Sequence, residues 1–72
     1  MGINVMKLRG KIVEKGYSIE TFIKAAGLGR ALFYRRLKDT SKFTLGEAHK
    51  ICDALGLTWD EAIAIFLPDY SH

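Results

Sequence analysis

The stretch YSIETFIKAAGLGRALFYRRLKD, residues 17–39, decides the fold of this 72-residue chain. Its apolar residues recur at helical spacing on both sides of Gly27-Leu28-Gly29, which predicts two short helices over about residues 19–26 and 30–38. Ser18 is suited to cap the first helix, because its hydroxyl can accept a hydrogen bond from a free N–H group of the first turn. Two short helices joined by a glycine-containing turn are typical of a helix-turn-helix motif, here at about residues 18–38.

Helical periodicity continues to both ends of the chain. Leu8 and Ile12, with Val5 before them, predict a first helix over about residues 4–15 that Gly16 ends. Two Thr-x-x-Glu capping boxes, at 44–47 and 58–61, predict two more helices. The fourth helix is expected to turn these residues inward: Leu45, Ala48, Ile51, Cys52 and Leu55. The pattern predicts an all-α fold of five helices, forming a single domain over residues 1–72.

Charge divides the chain into a basic and an acidic part. Residues 1–42 hold ten Lys or Arg and three acids, whereas residues 43–72 hold one base and five acids. The basic part favours a polyanionic partner, although uneven surface charge on a small domain is the alternative. Cys52 is the only cysteine, and no apolar run resembles a signal peptide or a membrane span. We therefore expect a cytoplasmic protein that does not contact a membrane.

Catalytic and metal sites are not indicated by the sequence. His49 and Cys52 lie three positions apart, and His72 is the only further His or Cys, whereas a metal site takes about four ligands. Neither a Ser-His-Asp set nor a pair of carboxylates stands out, and so small a bundle leaves little room for a pocket. Gly27-Leu28-Gly29 lacks the preceding strand and the Lys-Ser/Thr of a phosphate loop. We expect no enzyme, no metal, no cofactor and no small-molecule ligand.

Residues 17–39, followed by FTLGEAHKICDALGLTWDEAIAIF at 43–66, resemble a known family. They look like the lambda-repressor/Cro (Xre-like) DNA-binding domains of phage and bacterial regulators, over about residues 5–66. The resemblance is carried by ALGLTWDEAI at 54–63 and by the motif residues Phe22, Ala26, Gly27, Leu28 and Phe33. It implies a lambda-repressor-like fold with the third helix in the major groove and the second across the backbone. The chain departs from the family at Ile19, where many members have a DNA-contacting Gln, at the bulky Ile23, and at Arg36, where many are apolar.

A helical wheel sorts the third helix into faces. With Phe33 and Leu37 toward the core, Arg35 points away from it. The outer arc around Arg35 also contains Ala31, Leu32, Tyr34 and Lys38, and the two shoulders are Arg30 and Arg36. Since arginine pairs with guanine and alanine can touch a thymine methyl group, base-edge contacts are expected from Arg30, Ala31, Tyr34 and Arg35. Phosphate contacts are expected from further basic residues and from hydroxyls at helix starts: Ser18, Arg36, Lys38, Lys42 and Thr44.

An apolar cluster near the C-terminus contains Trp59, Ile63, Phe66, Leu67 and Tyr70. Some of these side chains must close the core over the first helix, and the alternative is that most of them do; an exposed remainder would favour a homodimer contact. The family resemblance, together with this cluster, thus implies a regulator of the phage repressor or Cro type that binds a palindromic double-stranded DNA operator, as a homodimer at least on DNA. Two alternatives stay open: an antitoxin-type autorepressor, and a protein-interaction module whose basic helix contacts an acidic partner.

Overall fold

A computed structural model describes residues 2–70, and its helices lie close to the predicted positions. The α-helices are α1 (Val5–Glu14), α2 (Ile19–Ala26), α3 (Arg30–Lys38), α4 (Leu45–Leu55) and α5 (Trp59–Phe66). Short 3₁₀ helices at Thr40–Lys42 and Pro68–Tyr70 follow α3 and α5. Every regular element within residues 2–70 is helical, which confirms the all-α, five-helix prediction.

Reciprocal side-chain hydrogen bonds mark where α4 and α5 begin. Thr44 Oγ1 accepts a hydrogen bond from the N–H of Glu47 at 3.1 Å, and Glu47 Oε1 accepts one from the N–H of Thr44 at 3.0 Å. Thr58 and Glu61 repeat the arrangement at the start of α5. Both capping boxes predicted from the sequence are therefore confirmed. By contrast, α3 begins after Gly29 without a side-chain cap, which leaves its first N–H groups available to a ligand.

The turn between α2 and α3 depends on the left-handed backbone of Gly27. Its φ of 70° lies in a region that glycine adopts without strain. The N–H of Leu28 donates to the carbonyl oxygen of Ile23 at 3.1 Å, which closes the end of α2. The chain is then free to begin α3 after Gly29, so the two helices of the motif are separated by three residues.

The core draws on all five α-helices, with α2 in contact with α1, α3 and α4. Its buried residues are Leu8, Ile12, Phe22, Ile23, Ala26, Phe33, Ile51, Leu55 and Ile65. The rings of Phe22 and Phe33 meet edge to face with centroids 5.7 Å apart, which fastens α3 to α2. The expectation that Leu45 points inward is wrong, because this side chain is 90% exposed. As the first residue of α4, Leu45 points back beyond the start of the helix.

Candidate nucleic-acid interface

The inward face of α3 is broader than the Phe33–Leu37 pair suggested. Phe33 is buried, and half-buried residues flank it at Leu32, Arg36 and Leu37. On a helical wheel these four residues centre about 50° away from the predicted core direction. The placement of Leu32 on the outer arc was therefore wrong.

The exposed arc of α3 contains Arg30, Ala31, Tyr34, Arg35 and Lys38. With the core direction shifted by about 50° from the predicted one, Ala31 and Lys38 lie at the centre of this arc, and Arg35 lies toward one edge. All four residues predicted to read bases are on this arc, so the structure brings them together on one accessible surface. Their contacts with bases remain predictions.

An ion pair joins Arg36, on the inward side of α3, to Glu47 of α4. Arg36 Nε lies 2.9 Å from Glu47 Oε1, and Arg36 Nη2 lies 3.3 Å from Glu47 Oε2. The two side chains are only 23% and 14% exposed, so Arg36 is drawn against α4. The Arg36 guanidinium lowers the pKa of the Glu47 carboxyl group, and hydrogen bonds from Thr44 add to the effect. Two of the five guanidinium N–H groups are taken by Glu47, which leaves three for the predicted phosphate contact. That contact stays a prediction.

Sequence reasoning missed Glu20, an acid at the edge of the exposed arc. Its Oε1 atom lies 3.3 Å from Arg30 Nε and accepts a hydrogen bond from the Tyr34 hydroxyl, also at 3.3 Å. Glu20 belongs to the first turn of α2, so the cluster bridges the two helices of the motif. A usable signal was present, because Glu20 is the only acid within residues 15–38.

Two of the predicted phosphate-binding residues, Ser18 and Thr44, cap helices at the surface. Ser18 Oγ accepts a hydrogen bond from the N–H of Thr21 at 3.2 Å, and Thr21 Oγ1 accepts one from the N–H of Ser18 at 2.9 Å. This third capping box uses threonine where the other two use glutamate. Both caps lie at positive helix ends, where anions are favoured. Their phosphate contacts remain predictions.

The other predicted phosphate-binding residues, Lys38 and Lys42, are exposed and continue the basic surface beyond α3. No acidic side chain within residues 2–70 forms an ion pair with Lys38, Lys42 or Arg35. Nearby Asp39 is occupied by the Ser41 hydroxyl, which donates to it at 2.6 Å and lowers the pKa of the Asp39 carboxyl group. These three cations are therefore available to a polyanion.

Comparison with protein families identifies the domain. The Cro/C1-type HTH DNA-binding domain matches residues 7–66 of the chain. The chain belongs to this family. No curated protein and no solved structure matches it. The resemblance read from residues 17–39 and 43–66 is confirmed, and the partner of a Cro/C1-type domain is double-stranded DNA.

In this Cro/C1-type domain, α2 and α3 are the two helices of the motif. Helix-turn-helix proteins place the second of these helices in the major groove while the first crosses the backbone. The exposed arc of α3 is therefore the candidate interface, and Glu20 lies where α2 meets it. The Arg36–Glu47 pair holds the opposite side of α3 to the body of the domain.

The predicted dimer residues lie on a separate surface between α4 and α5. Trp59 is 78% exposed, while Ile63, Phe66 and Leu67 are half-buried. These four side chains help to line an open apolar groove of about 410 Å³, which Leu45 also lines. The side chain of Tyr70 lies outside the described part of the structure.

Other kinds of site find no support in the described residues. Within residues 2–70 no three His, Cys, Asp or Glu side chains come together to hold a metal ion, and His72 lies outside this range. His49 instead lies 3.2 Å from the Asp53 carboxylate on the same helix. Burial, together with the Asp53 charge, raises the pKa of the Cys52 thiol, which disfavours the reactive thiolate. No helix among the described residues is long and apolar enough to cross a membrane.

Proposed function

We propose that the chain is a sequence-specific transcriptional regulator of the phage repressor or Cro type. The observation that carries the proposal is the exposed arc of α3, which presents arginine, lysine and tyrosine on the groove-binding helix of a Cro/C1-type domain. Such side chains can both read base edges and contact phosphates. A DNA-binding domain that occupies a promoter is sufficient for repression. Binding to DNA also agrees with the expected cytoplasmic location.

We propose that the protein binds a palindromic operator as a homodimer through the α4–α5 groove. A solvent-exposed tryptophan beside an apolar groove favours a protein contact. We favour a second copy of the chain as the occupant of this groove on grounds of size. The domain measures 31 × 24 × 19 Å. Two such bodies side by side could place their α3 helices on half-sites about 34 Å apart, which is one turn of DNA.

The first test is selection of duplexes from a random pool, followed by binding measurements at several salt concentrations. We expect the chain to enrich a palindrome, and the affinity for that duplex to fall steeply as salt rises. Trp59→Ala should weaken the dimer and reduce enrichment of paired half-sites. A chain that binds every duplex equally, no better than a generic basic peptide, would refute specific recognition and favour the protein-interaction alternative.

A comparison of Arg35→Ala with Lys42→Ala tests how the exposed cations divide their roles. Arg35→Ala should cost about 1–3 kcal/mol of binding free energy and relax specificity at one base pair. Lys42→Ala should weaken all duplexes alike and reduce the salt slope by about one. Identical behaviour of the two variants would contradict the assignment of Arg35 to base edges.

A further inference from the structure

We propose that Glu20, Arg30 and Tyr34 form one composite reader of a G·C base pair, with Glu20 as its specificity-determining residue. The inference rests on the proposed operator binding and names the base pair that part of the interface takes. Glu20 reaches the exposed arc from α2, and both Arg30 on the first turn of α3 and Tyr34 one turn later contact its Oε1 atom.

The contact with Glu20 leaves the terminal Nη groups of Arg30 available for other hydrogen bonds. Arg30 Nε lies 3.3 Å from Glu20 Oε1, and neither terminal Nη group forms a hydrogen bond with Glu20. The two Nη groups form a planar fork of donors, and guanine presents two acceptors, O6 and N7, in the major groove. The Arg30 side chain is 73% exposed, and without Glu20 its fork would sample many directions. Glu20 therefore acts on guanine recognition as a positioning residue.

The same carboxylate sets the hydrogen-bonding direction of Tyr34. Because the Tyr34 hydroxyl donates its proton to Glu20, its oxygen faces outward as an acceptor. Glu20 Oε2 accepts no hydrogen bond from the described residues and is a second acceptor. In the major groove, the N4 amino group of cytosine is a donor that glutamate can bind. Donors from Arg30 beside acceptors from Glu20 and Tyr34 thus match the two halves of a G·C pair.

The charge of Glu20 places this cluster at base edges rather than on the DNA backbone. A carboxylate beside Arg30 and Tyr34 would repel a phosphate, and an outward-facing hydroxyl acceptor has nothing to accept from one. Lys38, at the C-terminal end of α3, has no acid paired with it among residues 2–70 and is suited to a phosphate. The acid therefore divides the exposed arc of α3 into a base-reading end and a backbone-binding end.

The test combines duplex selection with single-base-pair substitution in the selected operator. Glu20→Gln removes the charge with little change of shape, and Glu14→Gln removes an exposed acid from α1 as the matched control. We expect Glu20→Gln to reduce the preference for G·C at one position in each half-site by about 5- to 150-fold. Its affinity for random duplexes should be unchanged or higher, because a negative charge has been removed. Glu14→Gln should keep the base preference.

A double-mutant cycle with Arg30→Ala separates positioning from a general charge effect. Arg30→Ala should weaken the same G·C preference, and adding Glu20→Gln to that variant should cost less preference than Glu20→Gln costs in the wild-type chain. Thermal melts of each variant verify that the domain remains folded. Unchanged base preferences in Glu20→Gln, or independent effects at different positions, would overturn the composite reader. If the wild-type chain enriches no sequence, the proposed function fails together with this inference.

Discussion

Replacing Arg36 with methionine tests whether this residue anchors α3 or serves chiefly as a DNA contact. Methionine preserves the unbranched length of the side chain but removes the guanidinium that binds Glu47 at two points. Glu47 keeps its hydrogen bond to the N–H of Thr44 but loses its cationic partner. If the structure assigns the role correctly, the variant is less stable even in the absence of DNA.

The expected loss of stability in Arg36→Met follows from how exposed the Arg36 and Glu47 side chains are. Exposed ion pairs contribute about 0–1 kcal/mol, whereas breaking a buried pair costs about 3–5 kcal/mol. The Arg36 and Glu47 side chains are 23% and 14% exposed, so we expect a loss of about 2 kcal/mol from this two-point pair. A chain of 72 residues has a total stability of about 4–11 kcal/mol. The variant should therefore stay folded with a melting temperature lower by about 8–16 °C.

The assay is urea unfolding followed by circular dichroism, applied to a double-mutant cycle. Glu47→Gln is the second variant, because glutamine can still accept a hydrogen bond from the N–H of Thr44 in the capping box. The coupling free energy between the two substitutions should be about 1–2 kcal/mol near neutral pH. Arg35→Met, which changes an exposed arginine beside Arg36, is the control and should alter stability by less than about 0.5 kcal/mol.

The coupling free energy between Arg36 and Glu47, and its dependence on pH, decide whether this ion pair anchors α3. Because Arg36 lowers the pKa of Glu47 in the folded chain, the pair stabilises the fold fully above the ordinary Glu pKa of 4.5. This contribution is lost as the pH falls through the lowered pKa. A coupling below about 0.3 kcal/mol at neutral pH is within ordinary additivity and would exclude the anchoring role. A coupling that persists in strong acid would show that packing, rather than charge, joins the two residues.

Two further predictions concern the turn and the α1–α5 contact. Gly27→Ala should destabilise the domain by about 1 kcal/mol, because Gly27 has a φ of 70°. Gly10→Ala, in α1 with open space around it, should instead stabilise the domain by about 0.5–1 kcal/mol. Equal shifts of the urea midpoint in the two variants would contradict this. Lys11 of α1 donates a hydrogen bond to the Glu61 carboxylate of α5, and this contact, with hydrogen bonds from Thr58, lowers the pKa of Glu61 from 4.5 to about 2. The stability that Glu61 contributes should therefore be present above pH 4.5 and lost as the pH falls toward 2. Glu61→Gln should flatten that part of an acid-unfolding curve, and an unchanged slope relative to Asp60→Asn would refute the assignment.

The helix boundaries could be predicted from sequence because local chemistry determines them. Thr44 and Thr58 are each followed three residues later by glutamate, and Gly27 and Gly56 take the left-handed backbone that ends α2 and α4. These signals act within one helical turn, so no knowledge of the tertiary structure was needed. The position of Leu45 was mistaken because periodicity cannot show that the first residue of a helix extends past the core.

Arg36, at a position where the family is often apolar, indicated a rotation of α3, but neither its extent nor the role of Glu20 could be predicted, because the contacts that show them join residues distant in sequence. Arg36 lies 11 residues from Glu47, and Tyr34 lies 14 residues from Glu20. A wheel built from Phe33 and Leu37 places Arg36 only on the shoulder of the helix, whereas in the structure Arg36 lies against α4 and pairs with Glu47. The basic stretch therefore holds three kinds of cation: Arg36 is paired within the fold, Arg30 is paired at the interface, and Arg35 has no acidic partner among the described residues. Counting positive charges on α3 would overstate its phosphate contacts, because two of these three arginines already share their charge with a carboxylate.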